Sequence, residues 1–158
     1  MKVTYSNKLA REVWGGRLEY LKRFVAAPKK TLVKVFCGRD RAHYRSNYRF
    51  VPYHGWYRNE RRWVGWGYEH VITLHLTPMM KDARALYVLA HEVGHARHWQ
   101  RYRGSRWKCA QKRCDGYADR CVARFEAARI ARIGQQYREI MGRFKQYWSK
   151  GGNDEKEV

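Results

Sequence analysis

The run Ala90-His91-Glu92-Val93-Gly94-His95 constrains this chain more than any other stretch. Histidines four residues apart lie one turn up the same face of a helix, about 40° apart at ~100° per residue. Leu86, Leu89, Ala90 and Val93 form an apolar stripe on roughly the opposite side. One helix can thus bury one face and present both imidazoles to a cleft with the other. H-E-x-x-H on a helix is the spacing that gives a zinc ion two ligands. Glu92 projects at a neighbouring angle, where a carboxylate can take a proton from a water that the metal activates. The plainer reading is a pair of solvated or core histidines on an ordinary amphipathic helix.

A catalytic zinc keeps three protein ligands and one open position. In a chain with only 14 acidic residues, Asp115 and Asp119 stand out at i, i+4 on the next predicted helix. That helix begins about twenty residues after His95, far enough to turn back across the first. Asp115 can equally cap its helix or pair with Arg113. His98, on the same broad face as His91 and His95, and Glu126, two turns beyond Asp119, are the other candidates for the third ligand.

Along the chain, Leu9, Val13, Leu18, Leu21 and Val25 predict a helix over residues 6–26, weakened by Gly15-Gly16 and closed by Pro28. Residues 31–36 read as a strand ending at Cys37-Gly38. Residues 63–68 and 71–76 read as two strands joined by a tight turn around Glu69-His70. Thr77 as cap and Pro78 at the first helical position predict that the motif helix starts there and runs to about Tyr102. From about Cys114 to Trp148 the pattern is helical again, with a possible break near Gly134. Its stripe of Val122, Phe125, Ile133, Ile140, Phe144 and Tyr147 is expected to pack on the domain's own core, with a coiled-coil partner as the alternative. One domain over residues 1–150 and a disordered polar tail over 151–158 complete the expectation.

The second acidic motif, Asp115-Gly-Tyr-Ala118-Asp119-Arg-Cys-Val-Ala, taken with Ala90–His95, resembles the small gluzincin-type zinc peptidases, the ImmA/IrrE-like domain in particular. The resemblance covers roughly residues 71–125. It implies that Asp115, an aspartate where that family has glutamate, is the third metal ligand beside His91 and His95. It also implies that Asp119 hydrogen-bonds a ligand histidine from behind. A weaker resemblance links the chain to the SprT-like proteases, whose third ligand is a histidine in an H-G context; here the dipeptide is Asp115-Gly116. The implied fold is α/β (α+β) and zincin-like. A small, mainly antiparallel sheet packs with the H-E-x-x-H helix and a second, ligand-bearing helix. The implied activity is peptide hydrolysis with Zn2+ and Glu92 as the base, on a substrate extended along the sheet edge beside residues 71–76.

Charge adds a second theme. Lys and Arg outnumber Asp and Glu by 34 to 14, a formal net charge of +20. A balance so far from neutral points to a polyanionic neighbour, DNA or RNA foremost or an anionic membrane surface. Between residues 39 and 62, seven arginines interleave with Tyr44, Tyr48, Tyr53, Trp56 and Tyr57, a mixture suited to phosphates and stacked bases. Residues 97–113 hold seven basic residues and no acid. With neither a secretory leader nor a membrane span legible, a cytoplasmic location with reduced cysteines is expected. The expected partners are a protein or peptide substrate and nucleic acid. A basic nucleic-acid-binding module with a structural or vestigial zinc site is the alternative, and a regulator that cleaves a single partner is a further one.

Overall fold

The computed structural model describes residues 1–38, 47–50, 68–98 and 107–151. The chain divides into two compact units, Met1–Ala123 and Arg124–Val158. The first unit opens with β1 (Lys2–Tyr5), helix α1 (Lys8–Leu21), a 3-10 turn (Lys22–Phe24) and β2 (Thr31–Cys37). Then come β3 (Asn47–Phe50), β4 (His70–Leu76), α2 (Asp82–His98) and α3 (Trp107–Gly151), which contributes residues to both units.

The sheet order is β1-β2-β4-β3. β1 pairs with β2 and β2 with β4 in parallel; the β3–β4 pairing is antiparallel. The expected mainly antiparallel sheet is therefore corrected to a mixed one. β1 and β2 are joined through α1, and a helical crossover returns the chain in the same direction, which a two-residue hairpin cannot do. β1 itself escaped the sequence reading: Val3 and Tyr5 do alternate with Lys2 and Thr4, but the strand is only four residues long.

β2 and β4 carry the core. Val33 faces Ile72, Val35 faces Leu74 and Cys37 faces Leu76 in register, and all six are buried. Trp14, Leu18 and Leu21 of α1 and Leu86, Leu89 and Val93 of α2 supply the helical share of that core. On the other face of the same strands, Leu32 and Val71 make a small cluster with Tyr68, and Phe36 stacks on His75 with centroids 5.1 Å apart.

Asn7 starts α1: its Oδ1 accepts from Ala10 N at 2.7 Å, while its Nδ2 donates to Cys37 O at the end of β2. One side chain thus caps the helix and ties it to the sheet. Gly15 and Gly16 do not interrupt α1, which is shorter at both ends than 6–26. α2 starts at Asp82, not at Pro78. Met80 N donates to Thr77 O, so Thr77–Met80 closes a turn before the helix begins. Arg17 secures that entry: its Nε bonds Asp82 Oδ1 at 2.7 Å, its Nη2 donates to Met80 O, and its guanidinium lies over the Trp14 ring. Residues 99–102, the expected end of this helix, and the expected strand 63–67 lie outside the described residues.

α3 runs without a break at Gly134. Within the first unit it meets α2 through small residues. Ala90, Ala118 and Cys121 share one cluster with Tyr87, Tyr117 and Val25 around it. A Cβ built on Gly94 would lie 3.0 Å from both Cα and Cβ of Cys114. The near neighbour includes backbone, so no rotamer change relieves it. Gly94→Ala is therefore expected to destabilise the fold by about 1–3 kcal/mol, less up to ~1 kcal/mol returned by helix propensity. Urea denaturation measures this; an unchanged or raised midpoint would show that the two helices do not pack this closely.

Candidate metal centre

The Gly94–Cys114 contact fixes which side chains of α3 reach the motif. Moving one turn along α3 from Gln111 to Asp115 moves one turn back along α2 from His95 to His91. The Gln111 side chain hydrogen-bonds His95. Asp115 Oδ1 accepts a hydrogen bond from His91 Nδ1 at 2.9 Å and another from the Tyr87 hydroxyl at 2.8 Å. Asp119, a turn further on, acts electrostatically on Tyr87.

The two imidazoles converge. His91 Nε2 and His95 Nε2 are 3.2 Å apart, with their rings nearly perpendicular. A carboxylate that holds the Nδ1 proton of His91 fixes the tautomer whose Nε2 carries a bare lone pair. That lone pair is directed toward His95. Two nitrogen ligands about 2.0–2.1 Å from a tetrahedral zinc stand ~3.4 Å from each other, so the observed spacing suits the pair of motif ligands. The donor chemistry fits for these two residues. Among the described residues no group of three or more His, Cys, Asp or Glu side chains is placed to hold a metal ion.

The candidates for the third position fall as follows. Asp115 approaches His91 from the Nδ1 side, the side away from His95, where a carboxylate orients the ring. The contact to a motif histidine expected from Asp119 is one that Asp115 makes to His91. His98 lies close enough for its charge to disfavour a charge on His95. Glu126 pairs with Arg129 at 3.3 Å within the second unit. The Tyr117 hydroxyl accepts from Ala26 N, and the Arg97 guanidinium lies over the Tyr117 ring. Sequence reasoning missed Tyr87 and Gln111. Tyr87 precedes His91 by one helical turn on the same face, a signal that was available; nothing in the sequence distinguishes Gln111.

The open helix face expected around the motif is largely enclosed. Glu92 and His95 are both 7% exposed. Burial pushes the Glu92 carboxyl up to about 7. For His95, burial first and His91 second push the imidazole down to about 4. His95 is therefore neutral, and able to donate a lone pair, across the whole physiological range. Glu92 sits where gaining and losing a proton are nearly balanced at neutral pH. Burial likewise pushes the Cys114 thiol up to about 12, which keeps it an inert packing group behind Gly94. Cys37, Cys114 and Cys121 are free thiols.

β4, along which an extended substrate was expected, lies between β2 and β3. Over His70–Thr73 its backbone is paired on both sides, and over Leu74–Leu76 the described pairing is with β2 alone; among the described strands the sheet edges are β1 and β3. β3 belongs to the pair that α2 packs against. The arginine and tyrosine mixture of residues 39–62 lies outside the described residues apart from the β3 backbone, as do residues 99–106 of the second basic stretch. No family model, curated protein or solved structure matches this chain.

Glu92 gives a stability prediction with a definite sign. Its folded pKa is raised above the unfolded value, so its contribution is fully present below about 4.5 and is lost as pH rises through about 7. With a chelator present, Glu92→Gln should match wild type in thermal stability near the lower value. It should exceed wild type at alkaline pH, by up to about 3 kcal/mol. Equal stability of the two proteins at alkaline pH would mean that Glu92 is solvated.

Proposed function

We propose that the chain is a zinc-dependent peptidase of the H-E-x-x-H type. The observation that carries the reading is the pair of converging Nε2 atoms, 3.2 Å apart, on the helix turn that also holds a buried carboxyl with a pKa near 7. His91 and His95 would hold the ion. Zinc bound there would supply Lewis acidity, which polarises a peptide carbonyl and makes a water acidic enough to lose its proton near neutral pH.

The protein's own share is proton handling and orientation. Glu92, whose carboxyl burial pushes up to about 7, accepts a proton from the attacking water and returns it to the departing amine. Asp115 accepts the Nδ1–H of His91, so the neutral ring keeps its Nε2 lone pair on the side facing His95. Tyr87 locks the same carboxylate from the other side. An extended substrate strand would pair with β3, which among the described strands is the sheet edge beside β4.

Asp115 has two possible parts in this reading, ligand or ring-positioner, and metal content separates them. Elemental analysis should find about one zinc per wild-type chain purified without added metal. If Asp115 positions His91, Asp115→Ala retains zinc at stoichiometric supply but binds it ~10–100-fold more weakly. If Asp115 is a ligand, zinc is lost at every practical concentration. Glu92→Gln should keep its zinc and lose peptide hydrolysis. Wild-type protein that takes up no zinc when it is offered would sink the enzyme reading. The second reading, a basic nucleic-acid-binding module with a vestigial site, draws on the net charge of +20. It predicts binding that is indifferent to Glu92→Gln and falls steeply with salt. The charge also supports cleavage of proteins held on or near nucleic acid.

A further inference from the structure

The second unit presents a face that the proposed chemistry does not use. On α3, Ile130, Ile133, Tyr137, Ile140, Met141, Phe144, Tyr147 and Trp148 are all exposed; Tyr147 is 81% and Trp148 76% accessible. Of the stripe expected to pack on the domain's own core, Phe125 is buried and Val122 half-buried; the expectation is corrected for Ile133, Ile140, Phe144 and Tyr147. At ~100° per residue these eight side chains fall within an arc of about 120°. Arg143 and Lys145 lie roughly 40° beyond its two edges, and Arg132 and Arg138 roughly 60° beyond them, one of each pair on either side. Gln135, Glu139, Gly142 and Gln146 occupy the back of the helix.

Between residues 124 and 148 there are six basic residues and two acidic ones. Of the acids, Glu126 pairs with Arg129, and Glu139 accepts from Gln135 Nε2 at 3.0 Å. Among the described residues, Arg132, Arg138, Arg143 and Lys145 have no acidic partner.

We infer that this helix lies on an anionic lipid bilayer surface, with its apolar arc in the acyl boundary and its flanking cations at the headgroups. Three features favour that occupant. First, half of the arc is aromatic. Tyr and Trp seat well at the headgroup level because each has an apolar body and a polar tip. Second, cations line both edges of the arc, where long side chains can reach anionic headgroups while their stems stay apolar. Third, the apolar side chains are confined to one arc, with Gln135, Glu139 and Gln146 at the back, an asymmetry suited to a helix lying in the surface plane.

A second copy of the chain fits less well. The seam Ile130, Ile133, Tyr137, Ile140, Phe144, Tyr147 has heptad spacing but extends for fewer than three heptads, short of a self-sufficient coiled coil. Pairing two copies would also bring basic flanks together. Nucleic acid would neutralise the flanks and leave eight apolar side chains in water.

The test uses the full chain, floated on vesicles of phosphatidylcholine alone or of phosphatidylcholine with phosphatidylserine, at physiological salt. Wild type should float with the serine-containing vesicles only. Because the whole protein is basic, the deciding variant keeps every charge: Ile133→Ser, Ile140→Ser and Phe144→Ser together. It should bind at least ~10-fold more weakly. Circular dichroism should show that the rest of the fold is intact, since these side chains are exposed. Arg138→Gln, Arg143→Gln and Lys145→Gln together should also weaken binding.

Undiminished binding by the serine variant would reduce the interaction to overall charge and overturn the inference. So would wild type that ignores both kinds of vesicle. Sedimentation that shows a wild-type dimer abolished by the serine substitutions would assign the arc to a second copy instead.

Discussion

The close approach of α2 and α3 at Gly94 and Cys114 is the constraint on which the rest of the proposed site depends. Two helices can come this near only where neither brings bulk to the crossing, and here the crossing is built from Gly94, Ala90, Ala118 and Cys114. The nearness costs α2 a glycine in its interior, worth about 1 kcal/mol of helix propensity. What it gains is reach. Aspartate, one methylene shorter than glutamate, touches the imidazole across the gap, and Tyr87 meets the same oxygen.

That packing also sets the electrostatics. Enclosing the motif turn takes Glu92 and His95 out of water, and desolvation moves the two groups in opposite directions: the acid is harder to ionise and the imidazole harder to protonate. Both effects favour neutral side chains in the folded protein. A neutral imidazole can bind a metal, and a carboxyl that titrates near 7 can exchange a proton with water at neutral pH. Both are also liabilities when nothing occupies the site, because ionised Glu92 then pays for its burial. The trade of stability for a poised group is a common feature of functional sites.

The two units carry different kinds of surface chemistry. In the first, strands β2 and β4 and helices α1 and α2 bury most of their large apolar side chains, with Phe36 an exposed exception. In the second, α3 exposes its apolar arc and edges it with arginine and lysine. A helix that is amphipathic but uncovered is stabilised by its local hydrogen bonds and by pairs such as Gln135–Glu139 and Arg129–Glu126. Any apolar surface that covers it adds to that stability, which couples the helix to whatever it meets.

Much of this was legible in the residues. The H-E-x-x-H spacing set the two imidazoles on one helix face, because a period near 3.6 leaves no other arrangement. The β-rich runs at residues 31–36 and 71–76 located β2 and β4, and the stripe of α3 announced its amphipathic character before anything covered or uncovered it. Charge was plain from the count. Only the tertiary structure decided the direction in which the strands run, since a parallel pair and an antiparallel pair show the same alternation. It alone placed Asp115 on Nδ1 of His91, because the side of a ring that a carboxylate reaches depends on the crossing of two helices far apart in the chain. It also left the α3 stripe in solvent, for the sequence fixes which side of a helix is apolar but not what lies against it.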